Sequence, residues 1–451
     1  MPDSDSYDLI VLGSGVAGSS VATRCAGAGW RVALAEVREV GGTCALRGCE
    51  PKKVFWTLAD AAERARRLAP QGVAGGEAVR LDWGAAQRFK HSFTDTVPEH
   101  SETSLKEAGV EVLHGAARFV APDAMEVAGR RLGFRHAVIA TGAHPAQLPI
   151  EGAELLATSD DFLALERLPP RILMVGGGYI SFECAHLAAR GGAEVTLLHA
   201  NDQPLAQFEQ DLVRHLVART RELGVTVKLG CKVTAVRRQA DGTLQVECEN
   251  GERFVAEMAL HGLGRRPALD GLALEAGEVA VEKGRLKLDQ HLRSTSNPRV
   301  FAAGDAAQQG PALTPVAGHD AGVVARNLLE GCQAEPDYRV VPSVVFTIPP
   351  MASVGLTEAQ AREQGQDFEL RQGDMAGFQS VRRTGESTAA YKLLLEPGSG
   401  HVLGAHLLAP EAPEVMNLFA FAMRFGVPAP ELKAMMTAYP SFGSNLSAML
   451  G

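Results

Sequence analysis

The chain has 451 residues, a net charge of −9 and a hydrophobic fraction of 46%. This length predicts about three domains, and the composition excludes an intrinsically disordered chain. The mildly acidic balance argues against nucleic acid as a partner, because nucleic-acid-binding surfaces are basic.

Neither a membrane nor a secreted context is expected. No run of 18 uninterrupted apolar residues occurs, and the acidic start from Met1 to Ser6 lacks the basic residues of a signal peptide. Seven cysteines in so long a chain are not a secreted disulfide framework. These features predict a cytoplasmic protein, in which a disulfide is more often catalytic than structural.

The N-terminal region predicts a β-turn-α-β unit. A buried strand runs from Tyr7 to Gly13, a helix follows from Gly13 to Gly29, and a second strand runs from Arg31 to Glu36. This order is typical of the first unit of a doubly wound α/β fold.

The turn of this unit contains the pattern GxGxxG. Gly13 permits the tight turn, Gly15 lets the backbone approach a pyrophosphate, and Gly18 allows close packing of helix and strand. Glu36 can accept hydrogen bonds from a ribose, and the helix N-terminus faces the phosphates. The alternative is a glycine-rich turn that binds no ligand.

The next segment carries two cysteines, Cys44 and Cys49, five residues apart. In a regular helix this separation gives about 7.5 Å of rise, whereas a disulfide needs Cα atoms within ~6.8 Å. The pair can therefore bridge only if the helix is distorted, as Gly48 and Pro51 favour.

The surroundings of this pair favour a reactive thiolate. A helix N-terminus and the neighbouring Lys52 and Lys53 lower the pKa of a thiol, and a strained, accessible disulfide is easily reduced. Two alternatives remain: a pair of unlinked buried thiols, or half of a zinc site. The other cysteines are scattered without metal-ligand spacing, so no metal site is expected.

A helical stretch from Pro51 to Leu68 and a strand from His136 to Ala140 follow. A second β-turn-α-β unit then begins, with a strand at Arg171, a helix from Gly178 to Arg190 and a strand from Ala193 to His199. It predicts a second dinucleotide site, and the alternative is a structural relic without a ligand.

The loop of the second unit reads Gly176-Gly177-Gly178-Tyr179-Ile180-Ser181, with Glu183 in the following helix. Ser181 replaces the third glycine, which a small residue can do. The strand ends in His199, which is neither the acid that favours NADH nor one of the arginines that favour NADPH. Since no acid would repel a 2′-phosphate, the sequence slightly favours NADPH.

The last part of the chain predicts a separate α+β domain. After a short strand from Arg299 to Gly304, strand-like runs from about Tyr338 onward alternate with helices at Thr357 to Gln364 and Pro413 to Phe425.

The segment GGTCALRGCEPKK and the motifs around it resemble the pyridine nucleotide–disulfide oxidoreductases, the family of glutathione reductase, dihydrolipoyl dehydrogenase and mercuric reductase. The resemblance covers almost the whole chain, including Leu313-Thr314-Pro315-Val316-Ala317. It implies an α/β fold with two doubly wound dinucleotide-binding domains and a C-terminal α+β dimerisation domain. The implied boundaries are 1–149 with 271–337 for the FAD domain, 150–270 for the NAD(P) domain and 338–451 for the dimerisation domain.

The resemblance also implies cofactors and roles. FAD and either NADPH or NADH would be the cofactors of a homodimeric enzyme with a small-molecule acceptor. Cys49 would be the flavin-side thiolate and Cys44 the thiol that attacks the acceptor, with Lys52 and Glu183 as an ion pair near the flavin. Tyr179 would gate the nicotinamide pocket, and Asp305 would bind the ribityl chain. The further cofactor-binding residues would be Gly13, Gly15, Gly18, Glu36, Gly42, Thr43, Thr141, Gly142, Gly176, Gly178, Ile180, Arg265 and Gly304.

The C-terminal segment departs from the family pattern. Most disulfide reductases of the family carry a histidine followed by a glutamate, and the histidine crosses the dimer interface and is the acid–base group for the leaving thiol. Here Tyr439 and Ser444 stand at these positions. A phenol is a poor base at neutral pH, so Tyr439 is either a catalytic residue or a packed interface residue.

Three functions remain open. In the first, electrons pass from NAD(P)H through the flavin to Cys44–Cys49 and then to a disulfide or mixed disulfide. In the second, the acceptor is a metal ion, quinone or oxidised inorganic species, which the missing histidine favours. In the third, the protein senses redox state without steady turnover.

Overall fold

A computed structural model describes residues 5–451. The expectation about a signal peptide rests mostly on residues 1–4, which lie outside the described residues. Within the described part of the chain, no helix is both long and apolar enough to cross a membrane.

The helices have the following bounds: α1 Val16–Gly27, α2 Gly42–Arg47, α3 Cys49–Leu68, α4 Trp83–Thr94, α5 Val97–Glu107, α6 Ser159–Ala164, α7 Tyr179–Arg190, α8 Gln210–Glu222, α9 Thr314–Glu330, α10 Glu358–Glu363, α11 Gln379–Arg382, α12 Ala412–Phe425, α13 Ala429–Ala434 and α14 Leu446–Leu450. The strands have these bounds: β1 Ser6–Leu12, β2 Val32–Glu36, β3 Val110–His114, β4 Ala117–Ala121, β5 Ala124–Val127, β6 Arg130–Ile139, β7 Ala143–Pro145, β8 Arg171–Val175, β9 Glu194–Leu198, β10 Thr226–Lys228, β11 Val233–Arg238, β12 Leu244–Cys248, β13 Arg253–Ala256, β14 Met258–His261, β15 Arg265–Pro267, β16 Val281–Glu282, β17 Arg285–Leu286, β18 Val300–Ala302, β19 Ser343–Val345, β20 Met351–Gly355, β21 Glu369–Asp374, β22 Ala390–Leu395 and β23 Val402–Leu408.

The chain divides into two compact units. Of the described residues, the first unit contains 5–52 together with Phe89–Ala146 and Arg265–Tyr338. The second contains Lys53–Arg88, Gln147–Gly264 and Arg339–Gly451. The division into three domains with the boundaries given above stays a prediction.

The main sheet of the first unit has the strand order β3-β2-β1-β6-β5-β4, with β18 beside β6. β1 is parallel to both β2 and β6, and β18 is parallel to β6. Residues Leu9 to Leu12 of β1 are almost fully buried, because both faces of a parallel sheet are covered. The carboxyl ends of these four strands meet at one edge, where doubly wound folds bind their ligands.

The second unit contains a parallel sheet of order β10-β9-β8-β14. Helix α7 follows β8 and is buried along most of its length. An antiparallel sheet, β11-β12-β13, lies between β10 and β14 in the chain. The predicted second β-turn-α-β unit is therefore present, although the antiparallel strands were not predicted.

The C-terminal part of the second unit forms an antiparallel sheet of order β19-β20-β23-β22-β21. Helix α12 packs against β20 and β23 through buried side chains such as Met416 and Phe419. This is the predicted α+β arrangement, and α12 begins one residue before its predicted start at Pro413.

Candidate functional site

The loop after β1 makes the tight turn that the glycine pattern predicts. Gly13 has a φ of +101°, and a Cβ there would lie 2.5 Å from the carbonyl oxygen of Ala140. A Cβ on Gly18 would collide with the carbonyl oxygen of Gly13 and lie 3.2 Å from Val11 Cγ1. Only glycine therefore allows α1 to start this close to the strands.

Glu36 is fixed at the carboxyl end of β2. Its Oε2 accepts hydrogen bonds from the backbone N–H of Ser14, at 2.8 Å, and from the Ser14 hydroxyl, at 2.6 Å. Its Oε1 accepts from the backbone N–H of Arg38 at 2.9 Å. The carboxylate is thus held beside the glycine loop, and its contact with a ribose stays a prediction.

The cysteine segment lies against the same loop. The backbone N–H of Gly41 donates to Ser14 Oγ at 3.0 Å, and a Cβ on Gly42 would lie 2.5 Å from Gly15 Cα. Gly42 and Thr43 begin helix α2 at this point. The close approach of Gly15 and Gly42 brings the cysteines to the edge of the sheet where doubly wound folds bind their ligands.

The helix is broken between the two cysteines, as a bridge between them requires. Helix α2 ends at Arg47, Gly48 has φ −130° and ψ −109°, and α3 begins at Cys49. Both cysteines are half-buried thiols. The distortion predicted from Gly48 is therefore confirmed.

Thr314, the first residue of α9, places its hydroxyl between the two sulfurs. Its Oγ1 lies 3.1 Å from Cys44 Sγ, to which it donates, and 3.6 Å from Cys49 Sγ. The hydrogen bond with Cys49, and then burial, raise the pKa of the Cys44 thiol strongly, while the Thr314 hydroxyl lowers that pKa in part. The sequence motif that contains Thr314 resembles the family's, but by itself it indicates no role for this residue.

The remaining predicted FAD residues follow β6 and β18 at the same edge. Thr141 and Gly142 come after β6, and Asp305 lies in a 3-10 turn after β18. Burial raises the pKa of Asp305, and the Arg265 guanidinium opposes this rise. Arg265 also donates to the carbonyl oxygen of Ala143.

Lys52 belongs to the first unit and Glu183 to the second. Glu183 lies on α7, is 1% exposed, and its Oε1 accepts from the backbone N–H of Phe346 at 2.8 Å. A carboxylate buried so deeply is stable only with strong polar partners. Its ion pair with Lys52 stays a prediction.

In the second glycine loop, Ser181 stands at the position of the third glycine, and a glycine elsewhere in the chain leaves room for it. Gly176 has a φ of +109°, and helix α7 begins at Tyr179, which is 36% exposed. Ser181 is fully buried against Gly262, where a Cβ would collide with Ser181 Oγ. The space that the serine needs is therefore provided by a glycine after β14.

A second cysteine pair is joined, which the spacing of the scattered cysteines does not indicate. Cys231 and Cys248 form a disulfide with a Cα–Cα distance of 5.5 Å. Cys231 is 1% exposed and Cys248 5% exposed. The bond joins the segment before β11 to the end of β12, where the antiparallel pairing brings Val233 opposite Cys248.

Comparison with known proteins gives a consistent result. Residues 7–321 match the family model described as pyridine nucleotide-disulphide oxidoreductase, and residues 341–450 match the dimerisation domain of that family. The chain is 32% identical over 450 residues to a glutathione reductase of Burkholderia cepacia, covering 97% of each chain. It is 33% identical to a mercuric reductase of Streptomyces lividans, covering 98% of this chain and 94% of the relative.

The chain belongs to the pyridine nucleotide-disulphide oxidoreductase family. A Cu(II) complex of the HOCl-induced flavoprotein disulfide reductase RclA from Escherichia coli has the same fold, with a TM-score of 0.89, 28% identity and 99% coverage of both chains. Members of this family are oxidoreductases that use FAD and NAD(P)H. The match to the family's dimerisation domain supports a homodimer.

The residues at the edge of the first sheet fit the family's FAD. Among the described residues, the buried Thr141 Oγ1 has no hydrogen-bond partner, which a ligand can provide. The approach of Gly15 to Gly42 leaves backbone free of side chains beside the N-terminus of α1, as a pyrophosphate requires.

Tyr439 and Ser444, which were predicted to stand at the positions of the family's acid–base pair, have the following surroundings. Tyr439 is 79% exposed, and its hydroxyl lies 3.3 Å from Gln379 Oε1. Ser444 donates from its hydroxyl to the carbonyl oxygen of Ser441 at 2.6 Å. Ser444 is thus engaged in its own turn rather than with Tyr439, and the catalytic role of Tyr439 stays a prediction.

Proposed function

We propose that this enzyme uses NAD(P)H to reduce a thiophilic divalent metal ion at the Cys44–Cys49 pair, with Cu(II) as the first candidate. The observation that carries this proposal is the cluster of two half-buried thiols that share the Thr314 hydroxyl. Two neighbouring sulfurs are the ligands that soft metal ions prefer, and their partial exposure gives an ion access.

The electrons and protons balance in two stages. FAD supplies the transfer of an electron pair from NAD(P)H to the cysteine pair: NAD(P)H, one proton and the Cys44–Cys49 disulfide give NAD(P)⁺ and two thiols. The two thiols then reduce two Cu(II) to two Cu(I), release two protons and re-form the disulfide. The sum is one NAD(P)H consumed, two Cu(I) formed and one proton released.

Two further features support a metal acceptor. A metal ion leaves no thiolate that must be protonated, so Tyr439 in place of histidine is no obstacle to it. In addition, the proteins similar to this chain include relatives named mercuric reductase and a solved Cu(II) complex.

A small disulfide or mixed disulfide is the second candidate acceptor. The Thr314 hydroxyl favours it, because this group lies within reach of both sulfurs and can hold a proton near a leaving thiolate. The similarity to a glutathione reductase points the same way.

The test is an acceptor comparison with the FAD-loaded enzyme under anaerobic conditions. NADPH oxidation is followed with Cu(II), Hg(II), glutathione disulfide and lipoamide, and Cu(I) is trapped with a Cu(I)-specific chelator. We expect two Cu(I) per NADPH, a dependence on both cysteines, and slow turnover of both disulfides. Copper reduction that persists unchanged in Cys44→Ser, or faster turnover of a disulfide than of any metal ion, would overturn the proposal.

A further inference from the structure

The strand end of the second glycine-loop unit carries a histidine whose ring nitrogens have no partner. The ring of His199 lies against the loop, since a Cβ on Gly177 would be 2.6 Å from His199 Cγ. Both ring nitrogens are buried, and neither has a hydrogen-bond partner within residues 5–451. Buried polar atoms are normally paired, and leaving them unpaired is costly. Two such atoms on one ring indicate that a ligand supplies the missing partners.

The position of His199 indicates which ligand this is. It directly follows β9, the second strand of the unit, and packs on the loop between β8 and α7. In a doubly wound unit the residue at this strand end meets the ribose of the adenosine half of a dinucleotide. An imidazole can donate to a ribose hydroxyl or to the 2′-phosphate of NADPH.

The backbone of His199 is held by the segment that carries the disulfide. The carbonyl oxygen of His199 accepts from the backbone N–H of Cys231 at 2.8 Å, and its N–H donates to the carbonyl oxygen of Lys228 at 2.9 Å. The N–H of Gly230 donates to the carbonyl oxygen of Asn201 at 3.2 Å. The Cys231–Cys248 bond then ties this turn to β12.

We propose that the Cys231–Cys248 disulfide is a positioning element for the nucleotide. It holds the turn that contains Cys231, and through it the His199 ring, against Gly177, so that the ring nitrogens meet the ribose or its 2′-phosphate. The inference rests on the family's use of NAD(P)H and on the predicted nucleotide role of the Gly176–Gly178 loop. It is independent of the acceptor proposed above.

The affinity for oxidised nucleotide tests this inference without turnover. NADP⁺ and NAD⁺ are titrated by calorimetry into the FAD-loaded enzyme, into His199→Phe, and into the double variant Cys231→Ala/Cys248→Ala. His199→Phe keeps a ring on Gly177 but removes the nitrogens, and we expect the Kd for NADP⁺ to rise about tenfold. The double variant should raise that Kd about fivefold to tenfold, because it acts through the same ring.

Val246→Ala is the matched control. Val246 lies on β12, is fully buried and belongs to the same apolar cluster as Cys248. Its truncation weakens the packing but leaves the disulfide in place, so thermal stability should fall while the Kd for NADP⁺ stays unchanged. A rise in Kd equal to that of the cysteine variant would mean that the disulfide acts only through general stability.

Combining the variants separates the two parts of the inference. If the disulfide acts through His199, removing it in the His199→Phe background adds less than twofold to the Kd. Fully multiplicative effects would refute the disulfide's role, whereas unchanged Kd values in His199→Phe and in His199→Glu would refute the nucleotide site itself.

If the cysteine variant does not fold, wild-type enzyme is titrated before and after treatment with a phosphine reductant, with opening of the bond verified by alkylation and mass spectrometry. An unchanged Kd after verified opening would equally refute the disulfide's role.

Discussion

The protein contains two cysteine pairs that differ in almost every physical respect. Cys44 and Cys49 flank a helix break, are half-buried and share a hydroxyl. Cys231 and Cys248 are 17 residues apart, are buried in an apolar cluster and are already joined. The two pairs therefore differ in exposure and in local backbone geometry, although both consist of the same residue type.

The difference has a chemical meaning. A disulfide that must be reduced and re-formed needs access to an electron donor and an acceptor, and a neighbouring group that controls the proton. The first pair is partly exposed and lies beside the Thr314 hydroxyl, whereas the second is buried in an apolar cluster that includes Leu198 and Val246. We therefore assign electron transfer to the first pair and positioning to the second.

The largest expected effect comes from breaking the first pair. Cys44→Ser and Cys49→Ser should each lower the rate of metal reduction at least about 10²-fold, because the redox disulfide can no longer form. Cys332→Ser, which replaces a free and half-buried thiol of the same unit, is the control and should keep the wild-type rate.

Stopped-flow absorbance separates the role of Cys44 from that of Cys49. Cys44→Ser should show a long-wavelength band without reductant, and Cys49→Ser should show none.

The next effect concerns the acceptor of the first pair. The double variant Tyr439→His/Ser444→Glu should raise the turnover of glutathione disulfide or lipoamide about 10²-fold, the usual worth of a general acid–base group. Steady-state assays with each disulfide and with Cu(II) measure this, and the rate with Cu(II) should change little. Wild-type turnover of either disulfide within the common ~1–10³ s⁻¹ range would show that another group already protonates the leaving thiol.

Opening the second pair should change stability. Cys231→Ala/Cys248→Ala should lower the free energy of unfolding by about 2–4 kcal/mol, the usual range for a native disulfide. Chemical denaturation followed by circular dichroism measures the change. A loss below about 0.5 kcal/mol would argue that the bond is not formed in the purified protein, which mass spectrometry of the intact chain can verify.

The smallest effect concerns the proton on Cys44. The hydrogen bond with Cys49 and burial raise the pKa of Cys44, and a metal ion must displace this proton, so its affinity should increase as the pH rises. Thr314→Val removes a hydrogen bond that lowers this pKa, and should therefore shift the pH profile of metal binding upward and weaken binding about fivefold at neutral pH. Thr314→Ser should restore the wild-type profile. Identical profiles for all three proteins would contradict a role for this hydroxyl.

Local features of this protein could be predicted from its sequence. The predicted first strand, helix and strand lie within three residues of β1, α1 and β2, and the helix break at Gly48 is the distortion that this glycine was predicted to favour. Each depends on neighbours in the chain, where glycine and apolar runs have direct conformational effects.

The contacts that complete the sites could not be predicted in this way. Thr314 meets Cys44 across 270 residues, and Cys231 meets Cys248 only because β11 pairs with β12 in one register. The unpaired nitrogens of His199 likewise depend on how its ring lies on Gly177. These features are set by tertiary packing, which leaves no local pattern.

The contact between Ser181 and Gly262 has a consequence for reading such sequences. Helix α7 lies so close to the residue after β14 that Ser181 and a side chain at position 262 would collide, and here position 262 is the glycine. A Cβ at position 262 would lie 1.9 Å from Ser181 Oγ, so an alanine at 262 would require a smaller residue than serine at 181. A sequence pattern that requires a glycine at position 181 would not detect this unit. A pattern that accepts a small residue at 181 together with glycine at 262 would detect it.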